Sequence, residues 1–186
     1  ARMALKYAGI ATEHREISLR EKPKSMLLVS PKGTVPVLCI GDRVIDQSLD
    51  ILRWVLDQSD PDGWNQVDQT KAQDWVEVND GPFKQLLDQY KYPNRYPDLK
   101  QGDVLQQAFE LMLKPMEEAL KKHQYLMGDK CSWVDIAIFP FIRQFAMVNP
   151  EQFATLPIPR TQQWLHQHLE SALFQSIMEK HPTWTD

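Results

Sequence analysis

Cysteine is scarce in this chain: Cys39 and Cys131 are the only two among 186 residues. That excludes a disulfide framework and a four-cysteine zinc site, and it fits a reducing, cytosolic setting. A basic excess is also missing. The 21 Lys and Arg stand against 25 Asp and Glu, a formal charge of −4 with a pI near 5.7, which disfavours binding along a phosphate backbone and removes nucleic acid as an expected partner. The longest apolar run, around Ile136–Ile142, is far short of the ~20 residues that cross a bilayer, and the N-terminus does not resemble a signal peptide, so neither membrane insertion nor secretion is expected. No metal is expected either, because the five histidines lack ligand spacing; His166 and His168, two apart, do not share a helix face.

What is present is globular: 42% of residues are hydrophobic, and the length allows one domain or two small ones. The chain opens on Ala1-Arg2-Met3-Ala4-Leu5-Lys6-Tyr7-Ala8, already helix-forming, with no initiator Met and no N-cap. Residue 1 is expected to lie inside a helix whose beginning is absent, and Gly9 stops it. Partial alternation over Glu13–Leu19 predicts a short strand, and Lys24–Val29 predicts a helical turn. Val35–Ile40 and Arg43–Ile45 read as strands around a Gly41-Asp42 turn, with Pro36 at an edge or a special bend. From Ser48 the spacing of Leu49, Ile51, Leu52, Val55 and Leu56 is helical to about Asp57.

Asp60-Pro61-Asp62-Gly63 is the densest cluster of turn-formers, and the strand signal stops before it. We place the boundary there: a first domain over 1–59, a linker at 60–64 and an all-helical domain over 65–186. The helical reading runs over 66–90, 103–123 with Pro115 kinking it, 132–147, 160–169 and 173–180. Ser132-Trp133-Val134-Asp135 is a capping-box pattern, the serine accepting from one orphan N–H and the aspartate reaching back to another. Asp135 is therefore read as structural and not as a catalytic acid, and the apolar helix it opens as the buried centre of the second domain.

A partial βαββα unit followed by helices resembles the cytosolic glutathione transferase family, including its omega-like and bacterial cysteine-type members. The most specific segments are Lys32-Gly33-Thr34-Val35-Pro36-Val37-Leu38, then Ile45-Asp46-Gln47-Ser48-Leu49-Asp50-Ile51, then Tyr125–Asp135. The resemblance covers essentially the whole chain. It implies an α/β thioredoxin-like N-terminal domain, here N-terminally incomplete, plus an all-α C-terminal domain. The first strand and the residue acting on the glutathione sulfur would then lie upstream of Ala1, so no catalytic residue is assigned.

The resemblance also implies a glutathione site. Val35 would pair its backbone with the cysteinyl part of glutathione, and Pro36 would be cis, turning the Val35 amide and carbonyl outward. Ser48, at a helix start, would meet the γ-glutamyl carboxylate. Gln47 stands where the family usually has an acid; it can bond the ammonium but carries no charge. Asp46 and Asp50 are in poor register to replace it. Lys22 matches a lysine that binds the glycine carboxylate. Each has a plainer alternative: Lys22 as a solvated loop lysine, Ser48 as a helix cap, Pro36 as an edge-strand proline. Cys39, within an apolar strand, is expected to be buried, and Cys131 to be structural. The aromatic group Trp75, Phe83, Tyr90, Tyr92 and Tyr96 is read as core, with some of it lining a pocket for an apolar co-substrate.

The implied activity is that of a glutathione-dependent transferase, with glutathione as co-substrate. It either conjugates electrophiles or carries out thiol–disulfide exchange with a small disulfide. A cytoplasmic homodimer is expected by resemblance. The alternative is a non-catalytic interaction or regulatory module on the same fold.

Overall fold

Met3 and Ala4 are the buried residues of α1 (Arg2–Tyr7), which Gly9 ends at φ +67°. This is the left-handed region that glycine enters without a Cβ penalty. The first helix packs on α3 (Ser48–Gln58), whose Ile51, Leu52, Val55 and Leu56 form its inner stripe. Between them lie α2 (Lys24–Val29) and a hairpin of β1 (Leu38–Ile40) and β2 (Arg43–Ile45), paired antiparallel with Leu38 opposite Ile45 and Cys39 opposite Val44. The computed structural model describes residues 1–185. In it Ala1–Asp62 and the stretch from Ser171 onward form one compact unit, and Gly63–Glu170 a second. The sequence reading kept the final stretch with the helical residues 65–186. The structure instead packs α11 (Ala172–Ser176) on α1.

The strand expected over Glu13–Leu19 forms only a single parallel bridge, Glu16 to Thr183, with the Trp184 N–H donating to the Glu16 carbonyl at 2.7 Å. A ladder needs a partner along its whole length, and alternation in sequence supplies none. His14 stacks on His181 at 4.2 Å, and the Arg15 guanidinium lies 4.6 Å from the Trp184 ring centre, so the tail follows the same segment.

The second unit comprises α4 (Gln69–Val78), α5 (Lys84–Lys91), α6 (Gln101–Ala108), α7 (Lys114–Leu120), α8 (Trp133–Val148), α9 (Pro150–Thr155) and α10 (Pro159–Glu170). Helix α8 packs against α4, α5 and α10 through nine buried residues, while Pro140, Gln144 and Met147 form an exposed stripe, so its apolar sequence makes a buried centre on all but one side. The capping box at its start forms. Asp135, fully buried, accepts from Ser132 N at 3.0 Å, Ser132 Oγ at 2.7 Å, Leu126 N at 3.0 Å and Trp164 Nε1 at 2.9 Å. Four donors on one carboxylate make it a structural hub.

Two predicted long helices are each interrupted by a π-turn, Asn79–Phe83 containing Pro82 and Phe109–Leu113 just ahead of Pro115. Proline lacks the N–H that an α-turn needs, and its ring meets the carbonyl four residues back. Widening the turn accommodates both effects, so the irregularity expected at Pro115 takes the form of a π-turn just ahead of it. Helix α9, missed in sequence, is opened by Asn149, whose Oδ1 accepts from Gln152 N at 3.0 Å, with Pro150 at the first helical position.

Candidate functional site

Two segments of the first unit carry most of the residues singled out in sequence. One is the turn between α2 and β1. Ser30 closes α2 by donating its N–H to the Met26 carbonyl at 2.9 Å, and Gly33 N donates to Ser30 O at 2.9 Å. Gly33 sits at φ +60°, and a Cβ there would stand 3.1 Å from Leu27 Cδ2 and 3.3 Å from the Lys22 Cδ. Glycine is therefore favoured by its backbone, and a Cβ would also need the Leu27 and Lys22 side chains to give by a few tenths of an ångström. Into that space comes Lys22, its Nζ 3.4 Å from the same position. The Val35–Pro36 peptide bond is cis, and Val35 is 49% exposed.

The other segment is the start of α3. Gln47 occupies the N-cap position in extended geometry and Ser48 is the first helical residue, both exposed, with no side-chain cap bond. Ser48 is thus not the N-cap that its residue type suggested. Its hydroxyl lies in the first turn, where unpaired N–H groups and the helix dipole favour an anion.

Asp46 links the two segments. Its Oδ2 accepts from the buried Ser30 hydroxyl at 3.1 Å and its Oδ1 from Lys32 Nζ at 3.1 Å. The Lys32 hydrogen bond, helped by Ser30 and opposed by desolvation, holds the Asp46 carboxyl below the usual carboxylate range. Sequence reasoning weighed Asp46 only as a stand-in for the acid missing at Gln47. The signal that could have found this role is the conjunction of Ser30, Lys32 and Asp46 flanking a hairpin of fixed length. Asp50 instead lies 3.8 Å from Arg53 on the exposed side of α3.

Cys39 is exposed. The pleat turns Leu38 and Ile40 to the other face, so an apolar neighbourhood in sequence did not mean burial. Cys131 is half-buried beside the cap of α8. The aromatic group divides. Phe83 and Tyr90 are buried and flank Phe145 at 5.6 and 4.8 Å. Tyr92 and Tyr96, with Leu87 and Phe141, line a groove of about 770 Å³ in the second unit. There the Tyr96 hydroxyl donates to Asp88 at 2.8 Å. Among the described residues no cluster of three His, Cys, Asp or Glu side chains could hold a metal, and no helix is long and apolar enough to cross a membrane.

Comparison with known proteins gives the family. Residues 1–63 match the glutathione S-transferase N-terminal domain and residues 87–171 the glutathione S-transferase C-terminal domain. The chain belongs to the glutathione S-transferase family. Hematopoietic prostaglandin D synthase of Gallus gallus is 28% identical over 132 residues, covering 69% of this chain and 64% of the relative. A probable glutathione S-transferase, parA, of Nicotiana tabacum is 28% identical over 156 residues, covering 77% of this chain and 66% of the relative. The chain thus spans about two thirds of the length of these relatives. Among solved structures, the ternary complex of BphK, a bacterial glutathione transferase, superposes with a TM-score of 0.75 at 23% identity, covering 94% of this chain and 90% of that one. That likeness is one of fold. The glutathione transferase fold observed here is therefore the thioredoxin-like and helical pair that the motifs implied.

Proposed function

We propose that this chain binds glutathione through Lys22, Val35, Pro36, Gln47 and Ser48 and serves a glutathione-dependent transferase. The observation that carries this reading is the arrangement of the first unit: an exposed Val35 in the loop after Gly33 and an exposed serine in the first turn of α3, within a chain that matches both domains of the family. Backbone groups of Val35 offer strand-like hydrogen bonds to the cysteinyl unit. The first turn of α3 and the Ser48 hydroxyl suit the γ-glutamyl carboxylate, and the Lys22 ammonium suits the glycine carboxylate. Gln47 hydrogen-bonds the ammonium without a charge. Cytoplasmic location, homodimerisation and the absence of a metal requirement belong to the same reading.

Calorimetric titration with glutathione tests it. Binding in the millimolar range or tighter is expected, weakened about tenfold in Ser48→Ala, in line with loss of a hydrogen bond to a charged group. Conjugation of a chlorodinitrobenzene-type electrophile, run beside reduction of a small glutathione disulfide, separates the two chemistries. No binding and no turnover would leave a non-catalytic module.

A further inference from the structure

Apart from Lys22, the proposed half-site is made of two short segments, 33–36 and 47–48, joined by a hairpin whose strands are only three residues each. So short a ladder gives weak control over the far end of the loop, which leaves α2 at Ser30 and reaches the cis bond five residues later. The contact that bridges this gap is Asp46, the residue immediately before Gln47. Each of its oxygens takes one donor, Ser30 Oγ on Oδ2 and Lys32 Nζ on Oδ1, both at 3.1 Å. Ser30 is itself buried, at 1% exposure, and is fixed through its N–H to α2 and through its carbonyl to Gly33. Sliding the start of α3 against the loop would break both bonds to Asp46.

We propose that Asp46 is a positioning residue for glutathione recognition: by taking Ser30 and Lys32 on its two oxygens it locks the Gly33–Pro36 loop to the segment that presents Gln47 and Ser48. Its charge is turned toward the loop, so it does not replace the missing acid at position 47 by direct contact with the ammonium. Instead it supplies the preorganisation that lets an uncharged Gln47 suffice. This rests on the glutathione reading above, and the experiment distinguishes failure of one from failure of the other.

The full chain is titrated with glutathione at neutral pH as wild type, Asp46→Ala, Asp46→Asn, Lys32→Met and the double variant Ser30→Ala/Asp46→Ala. Asp46→Ala is expected to raise Kd about tenfold with stoichiometry unchanged. Asp46→Asn, whose amide oxygen still accepts from Ser30, should fall between it and wild type. Lys32→Met should raise Kd about two- to threefold, as for an exposed ion pair. The double variant should bind no worse than Asp46→Ala, because Asp46→Ala already breaks the bond to Ser30. A purely structural role would lower the binding-competent fraction at constant Kd, and that result overturns the proposal. So does wild-type affinity in both Asp46→Asn and Lys32→Met, variants that keep the proposal testable if Asp46→Ala does not fold. Absence of wild-type binding removes the glutathione reading, and this proposal with it; wild-type binding matched by Asp46→Ala removes the proposal alone.

Discussion

Asp135 shows how much one side chain can hold. Its carboxylate satisfies two donors of its own helix start and two from elsewhere, Leu126 N and Trp164 Nε1, with none of its surface exposed. Asp135→Ala would leave all four in the interior without that acceptor. The expected loss is about 3–5 kcal/mol of stability, read by urea denaturation, against about 1 kcal/mol for Ser132→Ala. His168 lies next to this hub, its ring packed among Trp164, Phe139 and Tyr125. Burial pushes its imidazole below the ordinary value of 6.5, with the Asp135 charge opposing. Above that value native and unfolded chains both carry it neutral and its packing contributes in full. As pH falls, the unfolded chain takes up a proton that the native chain resists, so stability is lost from about pH 6.5 down through the lowered native value. Melting temperature should decline over that window, and His168→Gln should flatten the decline. The Ser132–Asp135 part was legible because a capping box spans three residues. Its tie to Trp164 was not, since nothing in the local pattern points 29 residues ahead.

The same contrast runs through whole elements. Helix α10 begins at Pro159 without a local capping signal, because its cap comes from α7: Glu117, 2% exposed, accepts from Arg160 N, Thr161 N and Thr161 Oγ1 at 3.2, 2.9 and 3.1 Å. A carboxylate at a helix N-terminus meets both the unpaired N–H groups and the dipole. Glu117→Ala is expected to cost about 2–4 kcal/mol, with the amides of Arg160 and Thr161 losing protection from hydrogen exchange first. Elements set by nearest neighbours, such as the Gly41-Asp42 hairpin and the amphipathic stripe of α3, were read correctly. Elements set by distant partners were not. The Glu13–Leu19 alternation is real, yet among the described residues only Glu16 forms a strand-type bridge, with Thr183. The π-turns escaped because sequence marks a proline but not how the turn around it will widen.

At the scale of the molecule, both domains of the family were legible, since their motifs are short, ordered and spaced by turns that composition announces. The allegiance of the last residues was not. Among the described residues it rests on the packing of α11 against α1 and, beyond it, on a backbone bond to Glu16, a histidine stack and a cation over Trp184. Removing the chain from Ile177 onward should lower the unfolding midpoint of the first unit and weaken its glutathione binding. Hydrogen-exchange protection of the α8 and α10 amides, in the second unit, should be unchanged. The connectivity also sets a timetable. The chain leaves the first unit at Asp62 and re-enters it at Ser171, so the helical unit is an uninterrupted insertion. At ~5–20 residues per second of synthesis, the larger, early part of the first unit waits roughly 5–20 s on the ribosome before the segment that closes it is made.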